Sequence, residues 1–336
     1  MTSSHSPAPQ ALVSSKTSAE TSAQGHSNSI GLLLAIGGTF LFALKSIFIK
    51  LAYAEGANTD EVLLLRMIIA APFYVAMLIY LRKYVVSSTN EVSLNWAATA
   101  RISALGFLGY YLASFLDLAG LNYISAQLER LTLFTYPTMI AILAAIFLKE
   151  KFTKKTLASL LLCYLGLWIM YNEEALNSNA ADTQLGVFLV LGSALSYSCY
   201  VILAKPMIQK YGSRLFTSIA MLGSSVFVCI HYFTRHPIDL SHISNLVWIY
   251  TAILAFVCTV IPSFMITEAI SRIGAAKTSI LGSAGPVFTI FLAVIILHEP
   301  FTRWHALGVL IVLLGVAIIS KRKRVTTVEN KSTHRL

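Results

Sequence analysis

Long apolar segments, interrupted by very few charges, restrict the fold of this chain more than any other feature. Of its 336 residues, 56% are hydrophobic and 12% are charged, whereas soluble domains carry about 25% charged residues. A helix needs about 20 apolar residues to cross a bilayer. Segments of this kind are Ile30–Leu51, Val62–Leu81, Ile102–Leu121, Leu128–Leu148, Thr156–Tyr171, Leu185–Pro206, Leu215–Tyr232, Leu246–Ala269, Ala275–Leu297 and Trp304–Ser320. The sequence therefore predicts an all-α integral membrane protein with ten transmembrane helices, since barrel strands would be about ten residues of alternating polarity.

The two ends of the chain differ from these apolar segments. Residues 1–29 are rich in Ser, Ala, Thr and Gln, which predicts a disordered cytoplasmic tail and not a signal peptide. Residues 321–336 begin with the run KRKR, which is typical of a basic cytoplasmic tail after the last helix. The net charge of +10 lies mostly in short loops and in this tail, so we predict no nucleic-acid partner.

The first half of the chain recurs in the second half. A shift of 149 residues aligns Pro137 with Pro286, Glu150 with Glu299, Phe152 with Phe301, Thr153 with Thr302, Leu165 with Leu314 and Gly166 with Gly315. Further upstream, a shift of 155 residues aligns Gly31 with Gly186, Gly37 with Gly192 and Lys50 with Lys205. The sequence therefore predicts two five-helix repeats, residues 30–171 and 185–320.

The distribution of Lys and Arg indicates how the chain is oriented. Most of its 25 Lys and Arg fall in alternate loops and in the two tails, whereas the remaining loops contain only Arg235 and Arg303. Loops that stay in the cytoplasm have an excess of Lys and Arg. We therefore predict that both termini are cytoplasmic. With five crossings in each half, the two repeats enter the membrane from opposite sides and are inverted.

The two halves also share a set of short motifs. Each has a Gly-led first helix, an Ala-rich fourth helix with an internal Pro, a Glu just after it (LKEKFT, LHEPFT) and a Gly in the fifth helix (YLGLW, LLGVA). Over residues 31–320 this pattern resembles the EamA family of the drug/metabolite transporter (DMT) superfamily. The resemblance implies a carrier of the cytoplasmic (inner) membrane for amino acids, other metabolites, nucleotide-linked compounds or drugs. The family pattern leads us to expect an aromatic or small residue at position 45, and Lys45 departs from it.

The charged residues within the predicted helices include five that we place in the external half of the membrane: Lys45, Arg66, Asp117, Glu129 and Arg130. A charged side chain at the centre of a bilayer costs about 2.5–3.5 kcal/mol, so these must be paired or hydrated. They form either an interfacial ion-pair network or a site that binds cargo. The depth of Lys45 favours a site that binds cargo, because this residue lies roughly 20 Å into its helix at about 1.5 Å per residue. Adjacent side chains point about 100° apart on a helix, so we expect Glu129 to reach Lys45 or Arg66 and not Arg130.

Polar and aromatic residues recur at helical spacing on three predicted helices. They form three stripes: Tyr110, Ser114 and Asp117; Glu129 and Tyr136; Ser193, Tyr197 and Tyr200. The shift of 155 residues aligns Phe42 and Lys45 with Tyr197 and Tyr200. Such stripes either line a cavity or, for the serines above all, form helix-to-helix contacts.

We predict two groups of functional residues from these patterns. Substrate-binding candidates are Phe42, Lys45, Arg66, Tyr110, Ser114, Tyr136, Tyr197 and Tyr200. Asp117, Glu129 and Arg130 are candidates for ion pairs that couple transport of the cargo to movement of a proton. Pro137 and Pro286 are expected either to loosen their helices where a carrier must flex or to form packing kinks.

The motifs that are missing from the sequence separate the classes of function. There is no HExxH or GxSxG motif and no His deep in a predicted helix, so we predict no enzymatic activity, cofactor or metal. There is also no GxxxxGK[ST] loop, so a gradient or an exchange partner must drive transport.

We predict a secondary active transporter of small anionic or zwitterionic metabolites such as amino acids, with export as one of the two directions of transport. The alternatives are a lipid flippase and a membrane enzyme. Expected partners are a small-molecule substrate, membrane lipids and a proton or exchange partner, and a homodimer is left open.

Overall fold

The computed structural model describes residues 10–84, 95–147, 149, 153–235, 240–273, 278 and 281–320. Helices joined by short connections account for nearly all of these residues, and no strand occurs among them. In chain order the helices are α1 (Gln10–Ala54), α2 (Thr59–Tyr84), α3 (Trp96–Gly106), α4 (Ala113–Leu121), α5 (Ala126–Leu133), α6 (Tyr136–Phe147), α7 (Lys154–Asn177), α8 (Ala180–Tyr211), α9 (Ser213–Arg235), α10 (Asn245–Ala255), α11 (Ile261–Ile273), α12 (Gly285–Ile296) and α13 (Arg303–Ser320). Two π-helical segments, π1 (Phe107–Leu112) and π2 (Phe256–Val260), join α3 to α4 and α10 to α11.

The described helices include seven stretches that are long and apolar enough to cross a membrane. They are Ser29–Ala54, Thr59–Leu81, Trp96–Leu121, Ala126–Phe147, Ala180–Tyr211, Ser213–Arg235 and Asn245–Ile270. The fifth, ninth and tenth predicted crossings correspond to α7, α12 and α13, which are shorter or less apolar. The predicted all-helical membrane class is confirmed, and the count of ten crossings stays a prediction.

The N-terminal segment differs from the sequence expectation. Residues 10–29 continue α1, whereas a disordered tail was expected over residues 1–29. Ala, Gln, Glu and Lys favour helices, no proline follows Pro9 in this segment, and extending an existing helix is far easier than nucleating one. Residues 1–9 and the predicted basic tail, 321–336, lie outside the described residues.

The fourth predicted crossing is broken in the middle. Residues 134–135 form a turn between α5 and α6, and Pro137 lies in the first turn of α6. Proline has no N–H group and cannot continue the hydrogen bonding of a preceding helix. Threonine hydroxyls donate to main-chain carbonyls at 2.7 Å on both sides of this turn. A turn at residues 283–284 likewise precedes Pro286 at the start of α12, so the helix is interrupted before each of the two prolines.

Two further local features recur in the second half of the chain. The segments π1 and π2 begin at Phe107 and Phe256. Lys149 and His298 both have left-handed backbones, with φ of 53° and 54°. Each pair is separated by the same 149 residues that relate the sequence motifs. π-helical turns are rare and are frequent at functional sites, so their recurrence marks corresponding positions in the two halves.

Close helix crossings hold the two halves together. The contacts join α1 to α11, α2 to α9, α4 to α8 and α7 to α13. A Cβ atom on Gly106 would lie 2.1 Å from the carbonyl oxygen of Ala220, so only glycine permits this crossing. Small residues let helix backbones approach in a bilayer, where apolar side chains gain little by leaving lipid. The arrangement leaves α1, α4 and α5 in mutual contact, and the predicted charged residues lie there.

Candidate functional site

The five predicted intramembrane charges are brought together in a charge cluster (Lys45, Arg66, Asp117, Glu129 and Arg130). They come from four helices: α1, α2, α4 and α5. Lys45 Nζ lies 2.5 Å from Asp117 Oδ2. The exposed fraction is 1% for Asp117 and 0% for Glu129, so both carboxyl groups are removed from solvent. Ionisable groups at this depth are tolerated only when they are paired.

The two carboxyl groups of the charge cluster each keep one oxygen without a partner. Asp117 Oδ1 and Glu129 Oε1 are buried and accept no hydrogen bond from the described residues. Their other oxygens accept from Lys45 Nζ at 2.5 Å and from Ser46 Oγ at 2.7 Å.

Glu129 has a different partner from the one the sequence suggested. Its Oε2 accepts a hydrogen bond from Ser46 Oγ at 2.7 Å. Among the described residues it forms no ion pair with Lys45 or Arg66, so that expectation is wrong. Asp117 takes the ammonium group of Lys45, and the next residue on α1 supplies the donor to Glu129.

The two arginines of the charge cluster have no carboxylate within ion-pair distance among the described residues. Arg130 donates from one terminal nitrogen to Ser46 Oγ at 2.9 Å and to the Phe42 carbonyl oxygen at 3.2 Å. Arg66 is 5% exposed. The Nε atoms of both arginines are buried and have no hydrogen-bond partner in the described part of the chain.

The start of α5, which carries Glu129 and Arg130, is fixed by two acidic side chains from other elements. Glu174 on α7 accepts from the main-chain N–H of Ser125 at 2.6 Å and from its hydroxyl at 2.5 Å. Glu299 accepts from the N–H groups of Ala126 at 2.8 Å and Gln127 at 3.2 Å. The first N–H groups of a helix lack partners within the helix and carry positive partial charge, so carboxylates stabilise them. We call Glu174 and Glu299 the α5 clamp.

The α5 clamp was only partly visible in the sequence. Glu299 belongs to the repeated motif LHEPFT, which marked it as important without indicating its contact. Glu174 lies in the acidic segment after the fifth predicted crossing and had no such signal. Burial raises the pKa of Glu174, and the negative charge of Glu299 adds to this rise, whereas the hydrogen bonds from Ser125 and the charge of Lys50 oppose it.

Four of the predicted tyrosines form a second group, the tyrosine cluster (Tyr110, Tyr136, Tyr197 and Tyr200). The Tyr200 hydroxyl donates to the Tyr110 hydroxyl at 3.0 Å. Ring centroids lie 5.2 Å apart for Tyr110–Tyr200, 5.7 Å for Tyr197–Tyr200 and 5.4 Å for Tyr136–Tyr197. Tyr74 on α2 is buried in the hydrophobic core against which Tyr110 packs. Sequence analysis missed Tyr74, which has no charged neighbour in the sequence to mark it.

The remaining candidates are less closely involved. Phe42 accepts a hydrogen bond from Arg130 at its main-chain carbonyl, and the residue is 36% exposed. Ser114 is half-buried, and its hydroxyl makes no hydrogen bond with a described residue. Ser193 donates to the Ala113 carbonyl at 2.7 Å, which is the helix-to-helix contact considered for the serines.

Comparisons with known proteins agree with this architecture. The model of the EamA-like transporter family matches residues 29–172 and again residues 184–321. The uncharacterized transporter YcbK of Bacillus subtilis is 29% identical over 83% of this chain and 88% of its own length. An uncharacterized transporter of Archaeoglobus fulgidus is 26% identical over 68% of this chain and 80% of its own length. One crystal structure aligns with a TM-score of 0.58 over 86% of this chain and 96% of that chain, at 14% identity, which indicates a shared fold.

Proposed function

The chain belongs to the EamA-like transporter family, and on that premise we propose that it is a secondary active transporter of small anionic or zwitterionic metabolites. It works by alternating access across the cytoplasmic (inner) membrane. The charge cluster supports this proposal more than any other observation. Three cations and two carboxyl groups lie together inside a membrane protein, where ionisable groups typically mark a substrate or ion pathway.

The repeated local features support an alternating-access mechanism. Helix breaks, π-helical turns and left-handed residues recur 149 residues apart, and the family model also matches the chain twice. Carriers built from inverted repeats place their substrate at interrupted helices between the repeats. The charge cluster includes α5, which ends at one of these interruptions.

The contacts of Lys45 suggest how cargo binding and proton movement are coupled. A carboxylate of the cargo that binds Lys45 Nζ replaces Asp117 Oδ2 as its partner. Asp117 then loses its neighbouring cation, which favours protonation of the Asp117–Glu129 pair. Cargo and proton are therefore bound together, and the tyrosine cluster faces the cargo with hydroxyls and ring surfaces.

Transport in proteoliposomes with the Lys45→Ala variant tests the proposal. We expect uptake of an anionic or zwitterionic amino acid to fall at least about tenfold, because a charge-assisted hydrogen bond is lost. Lys210→Ala, which removes an exposed lysine on α8, is the matched control and is expected to keep full uptake. Transport of a purely cationic drug that persists unchanged in Lys45→Ala would contradict the proposal. Movement of a labelled lipid without amino-acid uptake would support a flippase instead.

The orientation of the chain can be measured by cysteine labelling of intact cells. In a variant without its four native cysteines, we introduce one cysteine at Ser3, Asn177 or Ser332. We expect a membrane-impermeant maleimide to label position 177 in intact cells and positions 3 and 332 only after permeabilisation. Labelling of position 332 with protection of position 177 would show that the predicted orientation is wrong.

A further inference from the structure

Neighbouring residues on α1 serve the two carboxyl groups of the charge cluster in different ways. Lys45 brings a full positive charge to 2.5 Å from Asp117 Oδ2. Ser46, the next residue, donates a hydroxyl hydrogen to Glu129 Oε2 at 2.7 Å. Among the described residues, no cation lies within ion-pair distance of Glu129. A neighbouring cation stabilises the ionised form of a carboxyl group, so of the two carboxyl groups Glu129 is the one left to exchange a proton.

The hydroxyl of Ser46 links Glu129 to a more distant positive charge. Arg130 donates from a terminal nitrogen to Ser46 Oγ at 2.9 Å, and Ser46 Oγ donates in turn to Glu129. A serine hydroxyl has one hydrogen to donate, so this chain of hydrogen bonds has a fixed direction, from the guanidinium group to the carboxyl group. Ser46 and Glu129 are both 0% exposed, and hydrogen bonds in a chain strengthen one another when they are buried.

The two oxygens of Glu129 differ in their surroundings. Oε2 accepts from Ser46, whereas Oε1 is buried and has no hydrogen-bond partner in the described part of the chain. A proton added to Oε1 removes the charge of the carboxylate and leaves Oε2 accepting from Ser46. A hydrogen bond to a charged acceptor is about twice as strong as one to a neutral acceptor. Ser46 therefore stabilises the ionised form of Glu129 more than the protonated form.

We propose that Ser46 is a positioning residue that relays the charge of Arg130 to Glu129 and sets the pH at which Glu129 exchanges its proton. This inference rests on the proposed function, in which cargo and proton are bound together, and it assigns the proton to Glu129. The other charged groups that face Glu129 from the helices packed against α5 are unchanged in every variant of Ser46. They are Lys45 and Lys50 on α1 and Asp117 on α4, whereas α12 carries no charged residue.

Infrared titration of the purified full-length protein in liposomes tests this inference without a cargo. The carbonyl stretch of a protonated carboxyl group differs from that of a carboxylate, and Glu129→Gln identifies the band of Glu129 by removing it. In Ser46→Ala we expect the midpoint of this titration to move to higher pH by about one pH unit, because the ionised form loses the stronger hydrogen bond. An unchanged midpoint, or a shift to lower pH, would overturn the inference.

Two further variants separate the hydroxyl group of Ser46 from its packing. Ser46→Thr keeps the hydroxyl and is expected to titrate close to the wild type. Ser46→Cys has nearly the size of serine but only a weak donor, so its midpoint is expected to move towards that of Ser46→Ala. Equal midpoints in these two variants would overturn the inference, and this comparison also decides the matter if Ser46→Ala does not fold.

The matched control is Ser193→Ala. Ser193 donates to the main-chain carbonyl of Ala113 at 2.7 Å, so its replacement also removes a buried serine hydrogen bond between two helices. No charged group takes part in that hydrogen bond. We expect the midpoint of the Glu129 titration to stay unchanged, and a shift as large as that in Ser46→Ala would show that general loosening of the helices causes it.

A double-mutant cycle tests the relay from Arg130. Arg130→Gln alone is expected to move the midpoint to higher pH, because the hydroxyl of Ser46 then loses the cation behind it. In the variant with both Ser46→Ala and Arg130→Gln, the shift is expected to be smaller than the sum of the two single shifts, since each change breaks the same chain of hydrogen bonds. Additive shifts would show that Arg130 acts on Glu129 without Ser46 and would overturn the relay.

The titration and the transport assay separate this inference from the proposed function. The expected midpoints in a protein that takes up no amino acid in proteoliposomes would contradict the proposed function and leave the assignment of Ser46 intact. A titration in which Glu129→Gln removes no band would overturn this inference, because Glu129 would then exchange no proton, whereas amino-acid uptake by the same wild-type protein would uphold its function as a transporter.

Discussion

Glu129→Gln is expected to abolish proton-driven uptake while exchange of cargo between the two sides of the membrane continues. Glutamine has nearly the shape of glutamate and can hydrogen-bond to Asp117 and Ser46, but it cannot release a proton. The variant therefore lacks one of the two carboxyl groups that could take up and release a proton during the proposed cycle. We would measure uptake into proteoliposomes under an imposed pH gradient, and exchange with cargo on both sides without a gradient.

The control for this experiment is Glu55→Gln. Glu55 is exposed and lies just after α1, so its replacement is expected to leave both activities unchanged. If Glu129→Gln retained full uptake driven by the pH gradient, Glu129 would be a structural charge near the start of α5, stabilised by the helix dipole and by Ser46.

Glu299→Gln is expected to loosen the start of α5 and to reduce transport severely. A hydrogen bond to a charged group contributes about 1.5–3 kcal/mol, and Glu299 accepts two from main-chain N–H groups. The amide oxygen of glutamine is a weaker acceptor, so we expect the free energy of unfolding to fall by about 2 kcal/mol. Because α5 carries two members of the charge cluster, a mobile α5 would also displace the site. Hydrogen exchange at Ala126 and Gln127, together with thermal unfolding, measures this effect.

Glu174→Gln provides a matched comparison within the α5 clamp. Burial raises the pKa of Glu174 in the folded protein, so its ionised form is disfavoured there. Its contribution to stability is therefore fully present below the unfolded-state pKa and is lost as pH rises through the folded-state pKa. We expect Glu174→Gln to destabilise the protein less than Glu299→Gln. Acidification from neutral pH towards the ordinary glutamate pKa should stabilise the wild type relative to Glu174→Gln. A wild type that is destabilised relative to Glu174→Gln over this range would refute the assignment.

The members of the charge cluster could be predicted from the sequence, but their pairing could not. Charged residues inside apolar segments are conspicuous because they are costly in a bilayer. The partner of each charge depends on the rotation and depth of each helix, which neighbouring helices determine by packing. A difference of one residue along α1 decides that Lys45 meets Asp117 and that Ser46 meets Glu129. This is why the predicted contact of Glu129 with Lys45 or Arg66 was wrong.

The α5 clamp shows a second limit of sequence analysis. The repeated motif identified Glu299, but nothing in the sequence connected it to main-chain N–H groups more than 170 positions earlier. Main-chain donors at a helix start have no residue identity, so a pattern of residue types does not reveal them. Only the approach of the segment after α12 to the start of α5 creates this contact.

The sequence by itself determined the class of this protein and the recurrence of its halves. The all-helical class follows from the bilayer, which offers no hydrogen-bond partners to the main chain. A long apolar segment must therefore satisfy its main-chain hydrogen bonds internally, and a helix does so locally. The tertiary structure alone decided which of these charges form an ion pair. Those interactions act over a few ångströms between different helices, and their energies depend on burial. The ion pair between Lys45 and Asp117 is therefore a property of the fold.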